Sequence, residues 1–483
     1  MFIGLDIGTS SVKAILLDEN QVLVASATAE LTVGRPHPGW SEQDPESWWT
    51  ACETVLDSLK QQVPSKMAAV RGIGLSGHMH GATLLDADGK PLRPCILWND
   101  GRSAKQCADL EAVEPKFLSL GGNRVMPGFT APKLQWVREN EPEVFAKTAM
   151  VLLPKDYVRF KLTGIYAGDM SDSAGTLWMD VAKRDWSDEL LAATGLNRQN
   201  MPRLVEGSDV SGELTSDLCA RWGFDKAPVV AGGGGDNAAS ACGVGAVEPG
   251  SGFVSLGTSG VLFVTNDRFS PNVENAVHAF CHAVPNTWHQ MGVILSATDS
   301  LNWLASRLKK TPGELTAALG GAAGPSDVSF LPYLGGERTP HNDVAIRAGF
   351  AGISHETGDS ELTHAVLDGV AFALKDCLVA LTAAGTKVDR LLAVGGGSRS
   401  EVWLEIIASL LEVPIDVPVD GDFGASLGAA RLGQAAALGS TEGVFSKPAL
   451  RTTIDPNPTL IPAYADAYQR WQKLYPAFKQ AGF

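Results

Sequence analysis

The chain has 483 residues, 45% of them hydrophobic and 19% charged, with a formal net charge of −15. That length asks for two large domains rather than one core, and that balance excludes a disordered chain. The acidic surplus excludes a nucleic-acid groove, which needs a dense basic surface, but not a phosphate ligand, because a few N–H groups and one metal ion reverse the local field.

Apolar runs at residues 2–7, 12–17 and 22–25, separated by polar turns, predict a β-meander. Its first turn carries Gly8-Thr9-Ser10. Asp44-Pro45-Glu46 predicts a helix start: a capping carboxylate, a proline at the first helical position and acid in the first turn. Cys52, Val55, Leu56, Leu59 and Val63 continue at helical spacing, and Pro64 is the predicted stop. A strand at 70–75 then runs into Gly77-His78-Met79-His80-Gly81, and a hairpin is predicted at 82–85 with its turn at 86–89. Val229-Val230-Ala231 feeds four glycines, then Asp236 and Asn237.

The second half repeats this grammar. Apolar runs at 254–256 and 261–265 flank Gly257-Thr258-Ser259, and residues 277–284 read as a strand. A long helix is predicted from 361 to 384. A buried strand at 391–394 enters Gly395-Gly396-Gly397, followed by a helix over 400–412 and another from Gly424. The tail is predicted to be a docking helix from 464 to 475, ended by Pro476. Twice a hairpin carries Gly-Thr-Ser, and twice a strand feeds a glycine turn. These repeats predict a duplicated α/β unit with a central cleft, divided near 246–252 into residues 1–248 and 249–483. Seven scattered cysteines without a Cys-x-x-Cys pair read as reduced thiols. Residues 1–7 carry no basic stretch and include Asp6, and no apolar run is bilayer-long; the expectation is no signal peptide, no membrane span and a cytoplasmic protein.

A Gly-Thr-Ser tip lets backbone approach an anion and offers N–H and hydroxyl donors, so Gly8, Thr9, Ser10 and Gly257, Thr258, Ser259 are candidate phosphate contacts of ATP held between two halves. Asp6 is a carboxylate inside an apolar strand, costly unless partnered. Its functional reading is a Mg²⁺ site acting through water; its bland reading is a strand-end acid bonded to the next turn. Asp236 stands beyond a strand's carboxyl end, where α/β proteins bind ligands. It reads as a general base for a sugar hydroxyl or as a helix N-cap, and spacing favours the cap. Gly395, Gly396 and Gly397 suit an adenosine or phosphate approach, but Ser400 breaks the dinucleotide fingerprint. His78 and His80 suit sugar hydroxyls better than a transition metal, since no carboxylate or cysteine accompanies them. Trp40, Trp48 and Trp49 read as core and cleft-wall packing. Residues 337–341 read equally as a cleft wall and as a solvated loop.

Two long phrases carry a family resemblance. Gly128-Phe129-Thr130-Ala131-Pro132-Lys133-Leu134-Gln135-Trp136-Val137-Arg138-Glu139-Asn140 is one; the other runs from Ala348-Gly349-Phe350 through residues 361–368. By these the chain resembles the FGGY carbohydrate kinases, of the superfamily that holds actin, Hsp70 chaperones and hexokinase. The resemblance implies a two-lobed α/β fold of ribonuclease H-like domains, with ATP and Mg²⁺ as cofactors and no membrane partner. Shorter phrases at 40–45, 79–81, 97–102, 152–157 and 336–341 resemble those of family members that phosphorylate D-xylulose; L-ribulose, gluconate and glycerol are the alternative acceptors. The resemblance also implies Asp236 as proton acceptor, Met79, His80 and Asn237 at the sugar, Asp6 at the metal, Thr9 and Thr258 near phosphate, and Gly395, Gly396 and Gly397 near adenosine. His78 departs from the family's usual Gln, and four glycines rather than three precede Asp236. A sugar-independent ATPase of the chaperone or actin kind is the rival from another class, and homodimer formation is a further expectation.

Overall fold

The computed structural model describes residues 1–322, 324–419 and 424–483. Two seven-stranded mixed sheets dominate it, and they share one connectivity. In the first, Phe2–Ile7 pairs antiparallel with Ser11–Leu17, which pairs with Leu23–Glu30. On its other edge Phe2–Ile7 runs parallel to Gly72–Gly77, and that strand runs parallel to Val229–Ala231. In the second, Ser251–Leu256 pairs antiparallel with Gly260–Asn266 and parallel with Arg390–Val394, which is followed outward by Ile415–Pro418. The meander and the two tip-bearing hairpins therefore form as the sequence predicts, and the third strand of the meander runs on to Glu30.

Parallel central strands are covered on both faces, which is why Phe2, Ile3, Leu5, Ile73 and Leu75 are buried almost completely. One cover crosses between the halves. The helix Gly424–Leu438 packs against strands Phe2–Ile7 and Gly72–Gly77 and along the helix Asp236–Val244. Gly74 makes that approach possible: a Cβ there would lie 1.7 Å from the Ala429 carbonyl oxygen.

Helix Pro45–Gln62 starts as expected, with the Asp44 carboxylate accepting from the Glu46 N–H. Pro64 does not merely stop it; it opens a second helix, Pro64–Ala68. Pro476 likewise lies in the first turn of Leu474–Ala481, after a helix Ile461–Trp471 that ends before it. Proline in a first turn removes an N–H that has no helical partner, so each proline can also mark a start. The strand predicted at 82–85 folds back only through two isolated bridges, Leu85 to Pro91 and Ala82 to Ile96. Its ladder partner is Met150–Leu152, a distant segment. His278–Cys281 is a strand as predicted, the helix Asp359–Ala383 matches the expected long one, and Glu401–Leu411 is capped by Ser400. Trp48 and Trp49 are core, while Trp40 is half-buried beneath the Arg102 guanidinium, 3.6 Å from its ring centre. All seven cysteines are free. Among the described residues no helix is long and apolar enough to cross a membrane.

Candidate active site

Strand ends place the acids. Asp6 faces Ser76 in the parallel register, and Gly234 faces Ser76 from the other side, so Asp6 and the chain entering Asp236 converge on one strand end. Gly235 is the cap residue of the helix Asp236–Val244 and Asp236 its first helical residue. The cap reading that spacing favoured is thus replaced: among the described residues the Asp236 carboxylate accepts from the Asn237 N–H (2.7 Å) and the Asn237 side-chain amide (2.9 Å), and the helix has no side-chain cap hydrogen bond. Desolvation, reinforced by the Asp6 charge, pushes Asp236 up to about 6. Desolvation also raises Asp6, opposed by the Ser76 hydroxyl and the Lys13 charge.

The glycine turn before Asp236 is held by buried polar groups. The Ser171 hydroxyl accepts from the Gly235 N–H at 3.1 Å and donates to Asp169, while Arg159 donates to the Gly232 carbonyl. Lys155 pairs with Asp169 at 2.6 Å and with Asp156 at 2.7 Å. A network of this kind fixes the position from which Asp236 projects.

Strand Gly72–Gly77 runs on into His78, Met79 and His80. His80 holds a left-handed backbone, φ 72°, unusual for a side-chain-bearing residue and a mark of functional constraint. Three contacts hold it there. Its carbonyl accepts from Lys133 Nζ (2.8 Å) and the Thr130 hydroxyl (3.2 Å), and its Nδ1 lies 2.8 Å from the Gly175 carbonyl. A carbonyl can only accept, so Nδ1 carries the proton and Nε2 is left as an acceptor. Burial pushes His80 down to about 3 and keeps the ring neutral. His78 is buried against Trp48 and pushed down to about 3 in the same way. Met79, His80, Asp236 and Asn237 share a cavity of about 240 Å³, to which Ser259 and Arg338 come from the second half.

The two tips are braced differently. Trp98 Nε1 donates to the Thr9 hydroxyl at 3.0 Å, and the Gln43 amide donates to the Thr9 carbonyl at 2.7 Å. The second tip is braced mainly by backbone, with the N–H groups of Ala297 and Thr298 donating to the carbonyls of Thr258 (2.8 Å) and Gly257 (2.9 Å), and the Thr298 hydroxyl adding a bond to Gly257 at 2.7 Å. Gly395, φ 88°, follows the strand beside that hairpin, and a Cβ there would meet the Leu256 carbonyl oxygen at 2.8 Å. Gly395 and Gly396 line a second cavity of about 460 Å³ with Ser398, Arg399 and Arg451. Gly397 is buried behind it.

Sequence reasoning missed Lys133 and Trp98. Lys133 and Trp98 lie inside phrases quoted for the resemblance, yet nothing local announces that the first holds the His80 carbonyl or that the second lines the cavity and reaches Thr9. The stretch at 337–341 proves to be a cleft wall rather than a solvated loop. Glu337 is buried, its carboxyl accepting from the N–H groups of Leu295 and Arg338, and the Arg338 side chain lines the cavity.

A duplicated two-lobed α/β fold, with a carboxylate among hydrogen-bonding groups at one strand end and a glycine turn at the equivalent end of the other sheet, is the architecture of a phosphoryl-transfer cleft. Residues 1–243 match the FGGY family of carbohydrate kinases, N-terminal domain, and residues 252–437 match its C-terminal domain. The chain belongs to the FGGY family of carbohydrate kinases, phosphotransferases with an alcohol group as acceptor, and has their actin/hexokinase-like ATPase fold. It is 50% identical over 439 residues to the xylulose kinase of Escherichia coli (strain K12), covering 90% of each chain. Among solved structures, a xyloylose kinase from Brucella ovis superposes with a TM-score of 0.98 at 56% identity, and the xylulose kinase from Rhodospirillum rubrum with 0.91 at 30%; both alignments cover 99% of each chain.

Proposed function

We propose that the chain transfers the γ-phosphoryl group of ATP to the 5-hydroxyl of D-xylulose, giving ADP and D-xylulose 5-phosphate. The observation that carries this reading is the Asp236 carboxylate in a cavity walled by both halves, with Met79, His80 and Asn237 beside it. The likeness to xylulose kinases at up to 56% identity supports the choice of sugar. Residues 1–248 form the sugar-side lobe and residues 249–483 the nucleotide-side lobe.

In this reading Asp236 accepts the proton of the attacking hydroxyl, while Asn237 holds its carboxylate. His80 Nε2 accepts from a second sugar hydroxyl. Gly8, Thr9, Ser10 and Gly257, Thr258, Ser259 approach the phosphates, and Gly395, Gly396 and Gly397 the adenosine. Positioning and charge neutralisation lower the barrier, and no covalent phospho-enzyme is needed. The residues present fit Mg²⁺: Asp6 is a hard oxygen donor whose charge acts on a second carboxylate, that of Asp236. Asp6 would hold the ion through water, and the ion would offset charge on the β- and γ-phosphate oxygens. The cytoplasm, where ATP and reduced thiols coexist, is the compartment this chemistry suits.

The test is ADP release with an acceptor panel of D-xylulose, L-ribulose, gluconate and glycerol. The expected result is turnover highest with D-xylulose and negligible without acceptor. Turnover independent of any sugar would instead favour an ATPase of the chaperone or actin kind.

A further inference from the structure

The sugar cavity holds a cation that the reading above leaves without a role. Arg338 comes from the second half, yet its side chain lines the same cavity as Asp236. Among the described residues its guanidinium makes one hydrogen bond, from Nη1 to His278 Nε2 at 3.4 Å, and it has no carboxylate within ion-pair distance. The neighbouring Glu337 does not balance it. That carboxyl is engaged by the backbone N–H groups of Leu295 and Arg338, and desolvation pushes it up to about 8, so it is largely uncharged at neutral pH.

The orientation of Arg338 is nonetheless built. Asn123 donates its amide N–H groups to the carbonyls of Gly121 (2.9 Å) and Ala279 (3.0 Å), which leaves its Oδ1 as the atom facing His278 Nδ1 at 3.0 Å. Nδ1 must therefore carry the imidazole proton, and Nε2 is the lone pair that accepts from Arg338. Thr339 fixes the backbone next door, its N–H donating to the Val293 carbonyl and its hydroxyl to the Ala276 carbonyl, both at 3.0 Å. A neutral ring and a pinned loop aim the guanidinium but leave its charge and most of its N–H groups for something else. A half-buried fork in that condition calls for oxygen acceptors from a ligand.

An open-chain ketose supplies them at one end only. A hydroxyl both donates and accepts, so it can face either a carboxylate or a guanidinium; a carbonyl only accepts, so it is repelled by Asp236 and held by an arginine. We propose that Arg338 determines specificity by receiving the carbonyl and adjacent hydroxyl oxygens of the ketose, which forces the opposite, primary-alcohol end onto Asp236. The proposal rests on the ketose reading given above and adds to it the choice of which alcohol is phosphorylated. In the favoured orientation the terminal hydroxyl remote from the carbonyl loses its proton to Asp236, its oxygen bonds to the γ-phosphorus, and the bond from that phosphorus to the β–γ bridging oxygen breaks, releasing ADP. The reversed orientation would perform the same exchange on the hydroxyl next to the carbonyl and yield the 1-phosphate.

The test compares the full-length parent with Arg338→Met and Arg338→Lys, reading KM for D-xylulose and for ATP, the preference for D-xylulose over xylitol and D-arabitol, and the product regiochemistry by ³¹P NMR. A lost charge-assisted hydrogen bond predicts a rise of roughly 10- to 100-fold in the D-xylulose KM of Arg338→Met, with the ATP KM held. The ketose-over-pentitol preference should fall by a similar factor, and 1-phosphate should appear beside the 5-phosphate. Arg338→Lys, which keeps the charge but not the fork, should fold where Arg338→Met fails and should shift all three readouts in the same direction to a smaller extent. Variants that bind D-xylulose within about twofold of the parent, keep its preference and make only the 5-phosphate would overturn the proposal while leaving the proposed function standing. A parent that phosphorylates a polyol or sugar acid but no ketopentose would overturn both.

Discussion

The two sheets present equivalent strand ends to the cleft and load them differently. Beside the first hairpin, the parallel strand Gly72–Gly77 ends in His78, Met79 and His80; beside the second, Arg390–Val394 ends in Gly395, Gly396 and Gly397. One end bears rings and a thioether, suited to a sugar, and the other bare backbone, suited to a nucleotide. The hairpins differ in the same way. Two residues before each Gly-Thr-Ser tip stands Asp6 in the first half and Ser255 in the second. The carboxylate occurs only in the half that also supplies Asp236. Duplication thus provides the frame, and in the proposed function a few side chains at matching positions divide the labour between acid chemistry and nucleotide approach.

Several substitutions would break or sharpen this comparison. The largest effect is expected from Asp236→Ala: removing a general base should lower kcat by roughly 10²- to 10⁴-fold with nucleotide affinity retained. Near-normal turnover in a steady-state assay would remove Asp236 from the base role. Asp6→Asn should cost less, roughly 10- to 100-fold in activity with a weaker apparent Mg²⁺ affinity, as for a group holding a metal through water. The corresponding Ser255→Ala should leave the Mg²⁺ dependence alone, and equal effects in a Mg²⁺ titration would erase the distinction between the halves.

The next effect concerns pH. Desolvation and the Asp6 charge place Asp236 at about 6, and a base works only when ionised. As pH falls through that value the carboxylate gains a proton, so kcat/KM for the sugar should fall about tenfold per unit below it. A flat profile through that window would contradict the assignment. His80 and His78, held neutral and pushed down to about 3, should add no titration step in the same range. The smallest change is expected from Trp98→Phe. It removes the hydrogen bond to the Thr9 hydroxyl and should raise the ATP KM by about 2- to 10-fold. At the second tip the Thr298 hydroxyl donates to the Gly257 carbonyl beside the Thr298 N–H, so removing that hydroxyl leaves the carbonyl partnered by backbone.

Legibility in the sequence followed the range of the interaction. The tips, the glycine turns and the helix start at Asp44 are set by neighbours within a few residues, and they were readable. So was the strand character of the segment with His278. The partner of the strand Thr83–Leu85 was not, because its ladder with Met150–Leu152 is made by distant chain. Pro64 ended its helix as read but also begins the next, and Pro476 misled: proline disfavours the helix before it and favours the one it begins, and the sequence alone does not say which matters. At the site, Asp236 was legible as a polar residue at a strand mouth, but its release from cap duty depends on Gly235 taking the cap position. Lys133 and Arg338 act through contacts with His80 and His278, made far along the chain, and no periodicity encodes them.

The most direct test of the account is a crystal structure of the chain with D-xylulose and a non-hydrolysable ATP analogue. The account predicts the terminal phosphate between the two Gly-Thr-Ser tips, the base near Gly395 and Gly396, and the sugar's 5-hydroxyl between Asp236 and that phosphate. A terminal phosphate lying away from Asp236, or outside the space between the two halves, would contradict it.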